Sequence, residues 1–184
     1  IPGKYTISIK MGSQRASTTG EILPNPLYPT TPSVYKAWHE FIDAAEKELT
    51  TMHQMVNTLH AKRLQLASAI AHLPEEASYN ELRSEATELV KKLKAWDEDM
   101  IQRKSTAYDD VENFPNKFTA NYMFAMNHIQ SDIPILSQPS VARINELNAE
   151  WKTLKARGKA LHDVEIPTIN KLFWEAGIGA IWNK

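Results

Sequence analysis

The 184-residue sequence contains no cysteine, which excludes disulfide bonds, thiol nucleophiles and thiolate metal sites. No apolar run approaches the ~20 residues that a membrane-spanning helix needs. The formal net charge is only −1, so we expect neither nucleic acid nor an anionic membrane surface as a partner. With 42% hydrophobic and 23% charged residues, the composition is that of an ordinary globular protein.

Glycine is scarce and unevenly placed. Of six glycines, three lie before residue 21 and two lie at positions 177 and 179, so only Gly158 falls in the long middle of the chain. Glycine marks turns and weakens helix interiors. The middle of the chain is therefore predicted to be helical.

The first 26 residues show a different pattern. Tyr5, Ile7, Ile9 and Met11 alternate with polar residues, which predicts a strand over 4–11. A turn at 12–14 and a polar strand near 15–22 would complete a hairpin, followed by a proline-rich linker that reaches residue 29. Because an isolated hairpin is only marginally stable, we expect the face of Tyr5, Ile7 and Ile9 to dock on the helices or to pair with another copy.

Apolar residues then recur in steps of four and three, the spacing of long packed helices. The first helix should begin with Thr31 as N-cap and end at Leu73-Pro74. Ser78 and Glu81 should form a capping box for the second helix. The predicted buried positions of these two helices are Trp38, Ile42, Ala45, Leu49, Met52, Val56, Leu59, Leu66, Ile70 and Leu73, then Leu82, Ala86, Leu89, Leu93, Trp96 and Met100.

Two or three further helices are predicted after Pro115. Pro139 should open the longest of these, and Pro167 should kink or end it before a short last helix. Their predicted buried positions are Phe118, Tyr122, Met126, Ile129, Val141, Ile144, Leu147, Trp151, Leu154, Leu161, Val164, Ile169, Leu172, Phe173 and Ala176. The predicted fold is mainly α: an antiparallel up-and-down bundle of three long and one or two short helices (27–184), preceded by the β-hairpin and linker (1–26).

Motifs of known chemistry are missing. Glu-x-x-His, His-x-x-x-His, Gly-x-Ser-x-Gly and the P-loop pattern do not occur, and His53 and His60 are two helical turns apart, too far to share a metal. The acidic clusters lie near predicted helix ends or in a polar linker, where capping or solvation is the usual role. Arg63 is the only clear polar break in the first helix, and we expect it to reach a carboxylate or the rim of the bundle. We therefore predict no catalytic, cofactor or metal site in this chain.

Several short motifs resemble one known family. Residues 2–7 (PGKYTI), Asn25-Pro26, the stretch 110–116 and the close over 167–178 are similar to the C-terminal region of bacterial exported proteins with a sortilin-like (Vps10-type) β-propeller, also described as BNR-repeat, glycosyl-hydrolase-like proteins. The resemblance implies that the hairpin is the remnant of a preceding β-domain and that the chain is exported. The family's Asp-box (Ser-x-Asp-x-Gly-x-Thr-Trp) does not occur here, so no activity of a parent protein can be assigned to these residues.

Three functions are consistent with these observations. The first is a non-catalytic C-terminal helical module that packs against the rest of a larger propeller protein or forms a homo-oligomer through the hairpin. The second is a stand-alone helical adaptor or coiled-coil interaction protein. The third is an enzyme or small-ligand carrier with a site inside the bundle, which a polar cluster in the interior would favour.

Overall fold

The computed structural model describes residues 1–28, 30–131 and 133–179. Pro29 of the predicted linker and the last five residues of the predicted helical domain lie outside this part of the chain. The elements are β1 (Gly3–Met11), β2 (Gln14–Ile22), α1 (Pro32–Ala71), α2 (Asn80–Met100), α3 (Phe118–Gln130), α4 (Gln138–Ala160) and α5 (Ile166–Glu175). Single 3-10 turns occur at Ala77–Tyr79 and Tyr108–Glu112, and a π-helical turn at Leu161–Glu165 joins α4 to α5.

The helices form three rods, and each rod runs antiparallel to the one before it, as predicted. The first rod is α1, and the third is α4 continued through the π turn into α5. The middle rod is broken: α2 packs beside the second half of α1, α3 lies beside the first half, and residues 101–117 connect them. The Thr119 hydroxyl donates to the Met100 carbonyl at 2.8 Å and so holds the start of α3 at the end of α2.

The start and the buried seam of α1 are confirmed. The Thr31 side chain accepts a hydrogen bond from the Val34 backbone N–H, and Pro32 occupies the first turn. Of the predicted seam, Trp38, Leu49 and Ile70 are only partly buried at the margin of the core. The fully buried seam residues of α1 are Ile42, Ala45, Met52, Val56, Leu59 and Leu66.

The seam of α2 is confirmed at every position, but the capping box is wrong. Ala77–Tyr79 already turns as a 3-10 helix, so Ser78 lies inside this turn and Tyr79 occupies the cap position without a side-chain hydrogen bond. A capping box needs its serine in the extended conformation just before the first helical turn. The short turn removes Ser78 from that place.

Pro167 does not end the third rod. The π turn before it lets the Ile166 N–H donate to the carbonyl of Leu161, five residues back, and Pro167 then stands in the first turn of α5, where its missing N–H is tolerated. The extra residue in this wide turn rotates the register of α5 relative to α4. Val164, predicted on the seam, is consequently 61% exposed, and Ile166 is buried instead.

The rods approach each other closely around Gly158 of α4. A Cβ atom at this position would lie 2.9 Å from Cζ2 of Trp96 and 2.5 Å from Sδ of Met55. Trp96 has no exposed surface, and its Nε1–H donates to the Leu154 carbonyl at 2.8 Å. The one glycine of the helical middle is thus where a large aromatic ring of α2 fits against the backbone of α4.

Candidate functional site

The hairpin brings the predicted interaction residues onto one face. β1 and β2 pair antiparallel with Tyr5 opposite Gly20, Ile7 opposite Thr18 and Ile9 opposite Ala16. Since side chains alternate between the two faces of a strand, Tyr5, Ile7, Ile9 and Met11 lie on the same side. The opposite face is entirely polar, carrying Lys4, Thr6, Ser8, Lys10, Arg15, Ser17, Thr19 and Glu21.

The apolar face is open to solvent. Tyr5 is 42% exposed, Ile7 54%, Ile9 68% and Met11 73%. The two strands make extensive contacts with each other and not with any of the described helices. We expected this face either to dock on the bundle or to pair with another copy. In the structure it does not dock on the bundle, and its pairing with another copy stays a prediction.

The pairing register of the two strands adds Ile22 to the apolar face. The turn consists of Gly12 and Ser13 alone, because Gln14 already pairs with Met11. Gly12 has φ +60°, which suits glycine at the first position of a type II′ hairpin turn. The predicted three-residue turn is one residue too long. With the two-residue turn, Ile22 pairs with Gly3 and joins the apolar face. The Gly12-Ser13 pair is the sequence signal for a two-residue turn.

Polar side chains at the contacts between α1, α3 and α4 form hydrogen bonds with one another. Glu48 of α1 accepts from Nε1 of Trp151 at 2.6 Å and from Nζ of Lys155 at 3.0 Å. These two hydrogen bonds hold the pKa of Glu48 below its usual range, and the one from Lys155 has the larger effect. The neighbouring Tyr122 hydroxyl donates to Oδ1 of Asn148 at 2.9 Å, and burial, with the charge of Glu48, raises its pKa to about 12. These hydrogen bonds join α1 and α3 to α4.

A second polar cluster lies where α2 ends. The buried carboxylate of Asp97 accepts from Nε of Arg103 at 2.5 Å and from its NH2 group at 2.7 Å. His60 lies 3.8 Å from the same carboxylate. The pKa of His60 is lowered mainly by burial and, to a lesser extent, by the charge of Arg103. Arg63 is half-buried at the rim of the bundle, which is one of the two positions expected for it. Its described partner is His60, at 3.5 Å.

The aromatic and methionine segment of α3 divides between core and surface. Phe118, Tyr122 and Met126 are buried, whereas Met123 is 40% exposed and Phe124 74% exposed. So dense a run of aromatic and Met residues favours burial under the long helices over a soft binding face. This expectation holds for Phe118, Tyr122 and Met126 and is wrong for Phe124. An amphipathic helix necessarily turns some of a continuous apolar run outward.

The acidic groups of the connecting segment act locally. The Asp110 carboxylate accepts hydrogen bonds from the backbone N–H groups of Thr106 and Ala107 at 2.6 and 2.8 Å, and these bonds lower its pKa. Among the described residues, no three His, Asp or Glu side chains are grouped as metal ligands. Within the same residues, no helix is long and apolar enough to cross a membrane.

No family model, curated protein or solved structure matches this chain.

Proposed function

We propose that this chain is a non-catalytic protein-association module in which the helical bundle is a rigid support and the hairpin is the binding element. The observation that carries the proposal is the unpartnered apolar face of Tyr5, Ile7, Ile9 and Met11, backed by a fully polar opposite face. A two-stranded ribbon in water is marginal unless something covers its apolar side. Exposed apolar patches bordered by polar residues are typical of interaction sites.

The size of the face indicates how strong such an association can be. Each strand has nine residues, hence a length of about 30 Å, and two strands are about 10 Å wide. Two copies packed face to face would therefore bury roughly 600 Å², below the ~1,200 Å² of a stable interface. Exposed Leu23 and Leu27 just beyond β2 can enlarge this surface. Self-association should thus be weak and concentration-dependent.

Sedimentation velocity from micromolar to near-millimolar concentration tests the self-association. The average mass of the wild type should rise with concentration, and Ile7→Lys should abolish the rise because it places a charge in the middle of the face. Thr6→Lys is the matched control: it adds the same side chain to the polar face and should associate like the wild type. A wild type that stays monomeric throughout, or an Ile7→Lys variant that associates equally well, would refute this form of the proposal.

A β-rich partner is the second candidate, favoured by the small size of the face. A partner sheet can pair with a hairpin edge as well as cover the apolar side, which adds main-chain hydrogen bonds to the interface. The resemblance to sortilin-like propeller proteins suggests a propeller domain as that partner and an exported location for the chain. Surface plasmon resonance against an isolated propeller of that family should detect the wild type and Thr6→Lys but not Ile7→Lys; equal signals for all three would contradict it.

A further inference from the structure

A basic cleft lies at the break in the middle rod. It has a volume of about 340 Å³, and Arg63, Asp97, Glu98, Arg103, Lys104 and Lys117 are among its lining residues. The cleft is thus built from α1, the end of α2, the segment after α2 and the residue before α3. Its volume is within the range of small-ligand sites.

The carboxylates that line this cleft are already neutralised. Asp97 is bound by the guanidinium of Arg103. Glu98 lies 3.6 Å from the ammonium group of Lys94, one helical turn away, and Lys94 lines the same cleft. Neither carboxylate is therefore left to balance a further positive charge.

Three cations of the cleft have no carboxylate partner. Among the described residues, no Asp or Glu oxygen lies within 4.0 Å of the charged nitrogens of Arg63, Lys104 or Lys117; the ion pairs of the chain involve other residues. Three uncompensated positive charges are thus concentrated in one cleft of a chain whose net charge is −1. Such an arrangement attracts anions.

Arg63 supplies an independent observation. Its Nε–H is buried and has no hydrogen-bond partner among the described residues. An unsatisfied buried donor is costly, most of all on a charged group, and an oxyanion is the acceptor that a guanidinium binds best.

We propose that this cleft binds the phosphate group of a small phosphomonoester, with Arg63, Lys104 and Lys117 as its cationic ligands. A phosphomonoester carries close to two negative charges at neutral pH, which suits three spare cations better than a single carboxylate does. Arg63 would contribute its guanidinium charge from the α1 side of the cleft, while the two lysines contribute charge from the open side. The association proposed for the hairpin is not needed for this binding.

Isothermal titration calorimetry with inorganic phosphate and with glycerol 3-phosphate tests the site, with chloride at matched ionic strength in the reference. The wild type should bind both, the ester at least as tightly. Lys104→Gln/Lys117→Gln should weaken binding by roughly tenfold or more, since each lysine provides a charge-assisted hydrogen bond. The control Lys152→Gln removes an exposed lysine of α4 outside the cleft and should leave the affinity unchanged.

An NMR titration of the His60 ring gives a second readout. A phosphate beside Arg63 and Arg103 offsets the positive charges that help to depress the His60 pKa, so phosphate should raise this pKa in the wild type and much less in the double variant. No binding of either probe by the wild type, or equal weakening in Lys152→Gln and in the double variant, would overturn the proposal. Binding of phosphate with exclusion of the ester would show that the site takes free phosphate and would refute the assignment to a phosphomonoester.

Discussion

Replacement of Gly158 by alanine should destabilise the protein although it improves the intrinsic helix propensity of α4. In an open helix, alanine is favoured over glycine by ~1 kcal/mol. Here the added Cβ would meet Trp96 at 2.9 Å and Met55 at 2.5 Å. The Met55 side chain can rotate away, but the indole of Trp96 is fully buried and held by its hydrogen bond to Leu154.

The magnitude is set by these two opposing terms. Overpacking of a filled core costs about 1–3 kcal/mol, and a fully buried ring at 2.9 Å places the cost in the upper part of that range, about 2–3 kcal/mol. The net loss should therefore be about 1–2 kcal/mol after the ~1 kcal/mol gain in helix propensity. For a chain of this size, that loss lowers Tm by roughly 2–8 °C. Thermal and urea unfolding followed by circular dichroism measure it, with Thr153→Ala at an exposed position of the same helix as a control that should be neutral or slightly stabilising.

The double variant Gly158→Ala/Trp96→Phe sharpens the test. Because phenylalanine has a smaller ring than tryptophan, the cost of the added methyl group should be smaller in the Trp96→Phe background than in the wild type. A Gly158→Ala protein that is more stable than the wild type by ~1 kcal/mol would refute the close packing of α4 against the Trp96 ring of α2, since only the propensity term would then remain.

Further predictions concern the two polar clusters of the bundle. Glu48→Gln should cost about 1 kcal/mol in urea unfolding at neutral pH, because the hydrogen bonds of Lys155 and Trp151 lose a charged acceptor. The Glu48 pKa is lowered in the folded state from its ordinary value of 4.5, so this carboxylate contributes stability above that pH and loses it as pH falls through the lowered folded pKa; a variant with unchanged acid sensitivity would contradict this. Asp97→Asn should cost about 2 kcal/mol by leaving Arg103 without its buried partner, whereas the surface control Glu98→Gln should stay within ~0.5 kcal/mol; equal effects of the two variants would argue against a buried Asp97.

The long amphipathic helices were predictable because their information is local. The six seam residues of α2 repeat every three or four positions, and each of them is buried, since a single helix face suffices to specify them: Leu82, Ala86, Leu89, Leu93, Trp96 and Met100. The errors occur where a turn that is not α-helical changes the register or the start of a helix. The π turn at Leu161–Glu165 displaces Val164 from the core, and the 3-10 turn at Ala77–Tyr79 displaces Ser78 from the cap.

The candidate sites were predictable to different degrees. Alternation alone identified the face of Tyr5, Ile7 and Ile9, and only the turn length was needed to add Ile22. The basic cleft could not be found in this way. Arg63 is far from Lys104 and Lys117 in the sequence, and the segment 101–117 that brings them together has no apolar period from which its path could be derived.

Hydrogen–deuterium exchange of the hairpin amides at low and high protein concentration tests most directly whether the apolar face of β1 and β2 is where this chain associates. The account predicts rapid exchange over 3–22 in dilute solution, slower exchange in concentrated solution, and rapid exchange at both concentrations for Ile7→Lys, with the helices unaffected. Exchange over 3–22 that is independent of concentration, or protection that appears on a helix surface instead, would contradict it.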